Sequence, residues 1–209
     1  MDSSAPYLAV LPDSTSKVLV VLARTTRPLS GREVARLSGG SRSTVARVLQ
    51  RLAEQGLVNV QEAGAGAALL FTLNRRHLAA EPVLALLSLR QALIDRLRNE
   101  LEAWATPPFH ASLFGSVARG DGGASSDVDL FIVRPEATVE EDGGWRRQLD
   151  GLATLVFGWT GSHAGIAEIG VQELESLRRE RPAIVHKLLS DAVTLAGPPA
   201  HELLGEAAA

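Results

Sequence analysis

Residues 109–135, FHASLFGSVARGDGGASSDVDLFIVRP, constrain the fold of this chain more than any other segment. An apolar run ends at Phe114, a Gly-Ser turn and a polar, glycine-rich stretch follow, and a second apolar run contains Asp127 and Asp129. Because alternate residues of a strand share a face, the two aspartates are predicted to point one way while Val128 and its apolar neighbours enter the core. The segment therefore predicts two strands joined through a turn.

The spacing of the two aspartates suits a metal ion. Carboxylates on alternate strand positions stand about 7 Å apart and can converge on one hard cation. Without a cation their like charges would destabilise the strand. Since the chain has no cysteine, any metal must be held by oxygen or imidazole ligands. Asp127 and Asp129 are therefore predicted to bind Mg²⁺ or Mn²⁺.

The residues before the aspartates suit a phosphate group. Gly115 permits a close approach of the backbone, Ser116 offers a hydroxyl and an amide, and Arg119 offers a fixed positive charge. These three residues are predicted to form a phosphate cradle that faces the metal site.

The whole motif resembles the signature of the DNA polymerase beta-like nucleotidyltransferase superfamily in its compact prokaryotic form, Gly-Ser-x-x-Arg-Gly followed by Ser-Asp-x-Asp-Leu. The matching residues are Gly115, Ser116, Arg119, Gly120, Ser126, Asp127, Asp129 and Leu130. The resemblance implies that Gly115 and Ser116 hold the β- and γ-phosphates of a nucleoside triphosphate such as ATP. It also implies that Asp127 and Asp129 ligate Mg²⁺, with Arg119 and Ser126 in the nucleotide site.

Members of this superfamily commonly add a third carboxylate on a later, adjacent strand. A helix from Trp145 to Trp159 is followed here by SHAGIAEIGV, in which Glu168 is the only acid. Glu168 is therefore expected to complete the metal site and to accept the proton of the attacking hydroxyl. The alternative is an exposed glutamate on an edge strand.

The resemblance covers residues 107–198. After the Glu168 strand, the chain predicts a short helix, a second helix that begins at Pro182 and a final strand at 193–196. This closing pattern is similar to that of small nucleotidyltransferases.

The N-terminal part predicts three helices and a hairpin. Residues 15–25 form a first apolar helix, and Ser30 and Glu33 have the spacing of a capping box for a second. A third helix runs from Ser41 to a stop at Gly56, and residues 57–74 form two strand-like runs around a Gly/Ala loop. This order, over residues 14–74, resembles the winged helix-turn-helix of many bacterial transcription regulators.

The third helix carries the residues predicted to contact DNA or RNA, because in a winged helix-turn-helix this helix enters the major groove. They are Arg42, Ser43, Arg47, Gln50 and Arg51. The alternative is the solvated face of a protein-binding winged helix. The wing tip, residues 64–68, has no basic residue, so Arg75 and Arg76 are expected to hold backbone phosphate instead.

Charge divides along the chain. The formal net charge is −3, but residues 1–80 hold ten basic and five acidic residues, a net charge of +5, and the remainder carries −8. The net charge alone therefore does not argue against nucleic-acid binding, since the positive part coincides with the winged helix.

Residues 81–106 are predicted to form one long amphipathic connector helix. Large apolar residues recur every three or four positions, at Leu86, Leu89, Leu93, Leu97, Leu101 and Trp104. This row either packs against the neighbouring domains or pairs two copies of the chain in a homodimer across helix 82–105. Both interpretations stay open.

We therefore predict an α+β chain. It has a winged helix-turn-helix domain at 1–80, a connector helix at 81–106, a nucleotidyltransferase domain with a mixed sheet flanked by helices at 107–200, and a tail at 201–209. No run approaches the roughly 20 apolar residues of a membrane span, so a soluble, cytoplasmic protein with no membrane partner is expected.

Two functions are compatible with these features. The first is a Mg²⁺-dependent nucleotidyltransferase that transfers NMP from an NTP to a hydroxyl of a protein, a small molecule or an RNA end, and that binds DNA through its winged helix. The second is a DNA-binding transcription regulator, or an antitoxin-like protein, that binds a nucleotide or a toxin-like partner without turnover. The intact Gly-Ser and Asp-x-Asp motifs favour the first, because paired carboxylates are costly to keep without a use.

Overall fold

The computed structural model describes residues 2, 5–62, 68–123 and 125–205. Its internal contacts divide the chain into two units, one of Pro6–Leu89 and one that holds the residues from Arg90 onwards. None of the helices in the described ranges has the length and apolarity that a bilayer crossing requires.

The first unit contains the three predicted helices, α1 (Asp13–Ala23), α2 (Gly31–Ser38) and α3 (Arg42–Glu54), after a 3₁₀ turn at Pro6–Ala9. The predicted capping box is confirmed at the start of α2. The Ser30 hydroxyl accepts a hydrogen bond from the Glu33 amide (3.3 Å), and the Ser30 amide donates to the Glu33 carboxylate (2.8 Å). Because these bonds satisfy amides that a helix start leaves open, they fix where α2 begins.

The predicted hairpin is also present. Strand β2 (Val58–Glu62) pairs antiparallel with β3 (Leu69–Leu73), and the two-residue strand β1 (Leu29–Ser30) pairs with the other edge of β3. Of the predicted wing tip at 64–68, residues 64–67 lie outside the described residues. Helices and hairpin enclose one apolar core, which includes Val18, Leu19, Leu22, Val34, Val45, Leu49 and Leu52.

The predicted connector helix is wrong as a single element. The structure has two helices, α4 (Ala80–Leu87) and α5 (Leu89–Glu102), because the backbone of Ser88 leaves helical geometry (φ −105°, ψ 13°). Apolar residues of α4 pack on the core of the first unit, whereas α5 belongs to the core of the second. Most of the predicted apolar row is thus covered inside the chain: Leu93, Leu97, Leu101 and Trp104 are buried in the second core.

The second unit is built on a mixed four-stranded sheet, as predicted. Its strands are β4 (His110–Phe114), β5 (Val128–Arg134), β6 (Ala164–Gly170) and β7 (Val193–Ala196), in the order β6-β5-β4-β7. Strand β5 runs antiparallel to β4 and parallel to β6, and β7 runs antiparallel to β4. The strand that carries the Asp-x-Asp motif is therefore one of the two central strands.

Helices cover both faces of this sheet. They are α5, α6 (Gly115–Arg119), α7 (Gly143–Thr160), α8 (Leu174–Glu180), α9 (Ala183–Asp191) and α10 (Ala200–Leu204). Residues of α5 and α7 form one core with Val128, Leu130 and Ile132 of β5. Residues of α8, α9 and α10 form another with Phe131 and Val133. The predicted tail is corrected here, since α10 occupies its first residues and buries two leucines.

Candidate functional site

The two aspartates lie where the chain enters β5. Asp127 directly precedes the strand and is exposed, and Asp129 is the second residue of the strand and half-buried. The strand register pairs Asp129 with Phe114 of β4 on one side and with Gly165 of β6 on the other. Because β4 ends at Phe114 and α6 begins at the next residue, Asp129 lies against the turn that the sequence predicted as a phosphate cradle.

Two glycines make room for the carboxylate of Asp129. Gly115 has a left-handed backbone (φ +72°), and a Cβ added there would lie 2.5 Å from Asp129 Oδ2. A Cβ added at Gly165 would lie 3.1 Å from Asp129 Oδ1. Real side chains do not approach as closely as the first distance, so the carboxylate occupies the space that a side chain at residue 115 would need. Glycine is required there for both conformation and space.

Neither aspartate has an ion-pair partner among the residues that the structure describes. Within the described parts of the chain, the carboxylates of Asp127 and Asp129 make no hydrogen bond or ion pair. Burial raises the pKa of the Asp129 carboxyl, and the negative charge of Asp127 raises it further, while the positive charges of Lys187 and Arg119 oppose the rise. Two adjacent carboxylates with no ion-pair partner among the described residues fit a hard divalent cation, which would compensate both charges.

The serines of the motif lie beside these groups. Ser116 follows Gly115 in the first turn of α6 and is half-buried, and its hydroxyl makes no hydrogen bond to any residue that the structure describes. Ser126 is also half-buried and directly precedes Asp127. Both serines therefore offer polar groups next to the aspartates, and their roles as phosphate or nucleotide ligands stay predictions.

Arg119 is held by the protein itself. Its Nη1 lies 2.5 Å from Asp191 Oδ2 on α9, and its Nε lies 2.9 Å from Asp121 Oδ2. The hydrogen bonds to Asp121 and Asp191 raise the pKa of Arg119. The guanidinium thus ties α6 to α9, and the predicted contact with a phosphate would compete with these two carboxylates.

Arg90 is a positioning residue that the sequence did not reveal. Its Nε donates a hydrogen bond to the carbonyl of Val117 (2.8 Å), and its Nη2 donates to the carbonyl of Ala118. The last carbonyls of a helix have no partner within it, so Arg90 of α5 satisfies those of α6. It fixes the short helix whose first residues face the aspartates. Arg90 lies 27 residues before Val117, and no local pattern signals such a contact.

The predicted role of Glu168 is corrected by the register of β6. Glu168 pairs with Ile132, and alternation places it on the face of the sheet opposite to Asp129. There its carboxylate forms an ion pair with Arg134 and accepts a hydrogen bond from Trp145 Nε1 (2.9 Å). The structure therefore does not bring Glu168 to the aspartates. The alternative of an exposed glutamate is also wrong, because its side chain is only 12% exposed.

The position beside Asp129 on β6 holds Gly165, which has no ligand to offer. Among the residues that the structure describes, no group of three or more histidine, cysteine, aspartate or glutamate side chains is arranged to hold a metal. The candidate site therefore rests on two carboxylates.

Replacing Glu168 by glutamine is expected to lower the free energy of unfolding by about 2 to 4 kcal/mol, because it leaves a nearly buried arginine without its counter-charge. Urea unfolding measures this loss. The matched control is Glu140→Gln, whose partner Arg146 is exposed (3.0 Å), and little change is expected there. Nucleotide binding by Glu168→Gln should equal that of the wild type. Unchanged stability together with weakened nucleotide binding would contradict this structural role and show that Glu168 contributes to the nucleotide site.

The first unit presents a second candidate site on α3. The helix buries Val45, Val48, Leu49 and Leu52. The predicted nucleic-acid ligands are all exposed: Arg42, Ser43, Arg47, Gln50 and Arg51. The apolar and polar faces of α3 are thus separated as the helical spacing predicts.

Some of these side chains are already engaged. Arg51 donates a hydrogen bond to Thr15 Oγ1 of α1 (2.6 Å), and Gln50 donates to a neighbouring glutamate of α3 (3.0 Å). Arg42 and Arg47 bind no other residue in the described ranges. Arg75, expected to hold phosphate, instead donates to the carbonyl of the last residue of α1 (2.7 Å). The guanidinium of Arg76, which was expected to hold phosphate beside Arg75, also binds no residue in the described ranges. Arg42 and Arg47 are therefore the cations of α3 that remain available to a ligand.

Comparison with known families agrees with both units. A family model of the IclR helix-turn-helix domain matches residues 15–62, and a model of the nucleotidyltransferase domain matches residues 94–191. No curated protein matches the chain. The first match contains α1 to α3 and the first strand of the hairpin, and the second contains the Gly-Ser and Asp-x-Asp motifs. The chain thus combines an N-terminal IclR-type helix-turn-helix domain with a C-terminal DNA polymerase beta-like nucleotidyltransferase domain.

Proposed function

We propose that this protein is a Mg²⁺- or Mn²⁺-dependent nucleotidyltransferase that transfers NMP from a nucleoside triphosphate, such as ATP, to a hydroxyl acceptor with release of pyrophosphate, and that binds DNA through α3. One observation carries the proposal. The carboxylate of Asp129 lies against the glycine turn that begins α6, where a side chain at Gly115 would overlap it, and the negative charge of Asp127 acts on it without an ion-pair partner for either acid among the described residues. A protein with no cation to place there has no reason to hold two like charges beside that turn.

Each residue of the site has a role in this proposal. Asp127 and Asp129 hold the divalent cation, which, when bound, neutralises phosphate charge and polarises the phosphoryl group. Gly115 lets the backbone approach the triphosphate, and the amide and hydroxyl of Ser116 donate hydrogen bonds to its oxygens. Ser126 lies at the same edge and orients the nucleotide. The chain therefore contributes positioning and charge compensation, the main sources of catalysis in such transfers.

The test is transfer of label. The purified chain is incubated with Mg²⁺ and each α-³²P-labelled nucleoside triphosphate, with itself, RNA or a protein extract as acceptor. The proposal expects a labelled product with the wild type and none with Asp127→Ala/Asp129→Ala. The control variant Asp150→Asn removes an exposed carboxylate from α7 and should label as the wild type does. Label transfer that persists in the double variant would overturn the proposal.

A second function is favoured by the absence of a carboxylate from the position beside Asp129. With Gly165 there and Glu168 on the other face, β6 offers no acid beside Asp129 to accept the proton of a hydroxyl. This arrangement suits a DNA-binding regulator, or an antitoxin-like protein, that binds a metal–nucleotide complex without turnover. A wild type that binds Mg·ATP, transfers no label and changes its DNA affinity when ATP is added would support this second function.

Binding of DNA is proposed to depend on Arg47. Arg47→Ala is expected to weaken binding to a mixed pool of duplex DNA and to lower the slope of log affinity against log salt by about 1, because one phosphate contact is lost. Fluorescence anisotropy between low and moderate salt measures both. Arg146→Ala changes the net charge equally in the other unit and should leave the slope unchanged. Binding that does not respond to salt, or none at low salt, would contradict the role of α3.

A further inference from the structure

The cation that the motif predicts for the nucleotide site, Arg119, is already paired within the protein. A triphosphate brings several negative charges, and the predicted phosphate ligand Arg119 is bound on two sides by Asp121 and Asp191. Because the two carboxylates beside this guanidinium repel other anions, the net attraction of the cluster for a phosphate is weak. Another positive group is therefore needed if the site is to hold the terminal phosphates.

Lys187 of α9 lies on the side of its helix that faces α6. It precedes Asp191 by four residues, and residues four apart share one side of a helix. Asp191 reaches Arg119 on α6, so this side of α9 faces α6, whose first residues adjoin the aspartates. The geometry thus directs Lys187 towards the same edge of the sheet.

The surroundings of Lys187 agree with a role as a ligand. Its side chain is exposed and makes no hydrogen bond or ion pair with any residue that the structure describes. Its positive charge opposes the rise that burial and Asp127 cause in the pKa of Asp129, and it adds to the hydrogen bonds of Ser190 and Arg119 that lower the pKa of Asp191. A free ammonium within electrostatic range of the metal site is a suitable partner for a phosphate oxygen.

Composition supports the choice of residue. Of the 21 basic residues, only Lys17 and Lys187 are lysines. Elsewhere in this chain a basic surface position is almost always an arginine. A lysine differs from arginine in being a compact point charge on a flexible stem, which follows a phosphate group without a fixed two-point geometry.

We propose that Lys187, and not Arg119, supplies the positive charge that binds the terminal phosphates of the nucleoside triphosphate. Arg119 is a structural residue that ties α6 to α9. This assignment rests on the proposed nucleotide site and names the residue that distinguishes a triphosphate from a monophosphate there.

Calorimetric titration with ATP and with AMP, both in Mg²⁺, tests the assignment. Lys187→Gln is expected to weaken ATP binding by about 10- to 100-fold, the value of one charge-assisted contact, and to change AMP binding by less than about 3-fold. Lys187→Arg should restore most of the ATP affinity, because the charge is kept. Lys17→Gln removes the other lysine, which pairs with Asp13 far along the sequence (2.9 Å), and should bind as the wild type does.

Labelling with an amine-reactive acylating reagent gives a second readout that needs no substitution. Mass spectrometry of the labelled peptides compares Lys187 with Lys17 in the same chain. Mg·ATP is expected to slow the labelling of Lys187 at least several-fold while Lys17 labels at an unchanged rate. Equal rates at Lys187 with and without a saturating concentration of Mg·ATP would overturn the assignment.

The outcomes separate this inference from the proposed function. If Asp129→Asn loses ATP binding while Lys187→Gln keeps it, the Lys187 assignment is overturned and the nucleotide site stands. If Lys187→Gln weakens ATP and AMP equally, its role at the terminal phosphates is overturned. If the wild type binds neither nucleotide, both proposals fail.

Discussion

Replacing Asp129 by asparagine is expected to lower Mg²⁺-dependent nucleotide binding and transfer by more than about 100-fold, and at the same time to stabilise the folded protein at pH 7. Substituting a residue that only hydrogen-bonds to a metal ligand typically lowers metal affinity or activity by roughly 10- to 100-fold. Asp129 is itself one of the two proposed ligands, so a larger loss of binding and transfer is expected. The folded variant is expected to be more stable because the wild-type carboxylate is half-buried, adjoins Asp127 and has no partner among the described residues. The amide fills the same space without a charge.

The raised pKa of Asp129 determines how the free energy of unfolding changes with pH. Burial and the charge of Asp127 raise the pKa of Asp129 in the folded protein above its ordinary value of 3.8. The folded state therefore binds this proton more tightly than the unfolded state, and the contribution to stability is full below pH 3.8 and is lost as the pH rises through the raised pKa. The excess stability of Asp129→Asn should accordingly grow with pH and then level off.

Urea unfolding without Mg²⁺ at a series of pH values from 4 to 7 measures this difference. Asp150→Asn, an exposed carboxylate of α7, is the control and should show no such growth. Adding Mg²⁺ should stabilise the wild type and leave Asp129→Asn unchanged. If Asp129→Asn is less stable than the wild type at pH 7, the Asp129 carboxylate has a favourable partner in the metal-free protein. That result would contradict the proposed site.

Gly115→Ala is the second substitution with a large expected effect. The backbone at residue 115 is left-handed, which costs an alanine about 1 kcal/mol or more. In addition, the new Cβ would lie 2.5 Å from Asp129 Oδ2, so the carboxylate or the turn must move. The free energy of unfolding is expected to fall by about 2 to 4 kcal/mol, and Mg²⁺-dependent nucleotide binding should be lost.

Gly161→Ala is the matched control for this substitution. Gly161 ends α7 with almost the same backbone (φ +70°), but a Cβ there meets nothing within 4 Å. Only the backbone cost remains, so its unfolding free energy should fall by about 1 kcal/mol with nucleotide binding intact. Urea unfolding and calorimetry on both variants separate backbone strain from displacement of Asp129. Equal losses of stability and retained binding in both would contradict the proposed packing.

Local sequence patterns predicted most of the elements because their causes are local. The capping box of Ser30 and Glu33, the strand before Gly115 and the helix after Pro182 depend on residues a few positions apart. The Gly-Ser and Asp-x-Asp motifs meet because a turn and a strand register bring them together.

The remaining errors concern relations between distant segments. Glu168 was expected at the site, but a shift of one residue in a strand moves every side chain to the other face, and a sequence does not show that register. Arg119 meets Asp191 across 72 residues, and this contact changes its expected role. The predicted connector helix breaks at Ser88 because its two halves pack on different cores, which helical periodicity alone does not reveal.

The central claim is that Asp127 and Asp129 bind a divalent cation together with a nucleotide at the glycine turn of α6. Calorimetric titration of ATP into the wild-type chain, once with Mg²⁺ and once with EDTA, tests it most directly, with Asp129→Asn as the comparison. The proposed site predicts binding by the wild type only in Mg²⁺ and none by the variant in either condition. Equal ATP affinity with Mg²⁺ and with EDTA, or binding by Asp129→Asn as tight as that of the wild type, would contradict it.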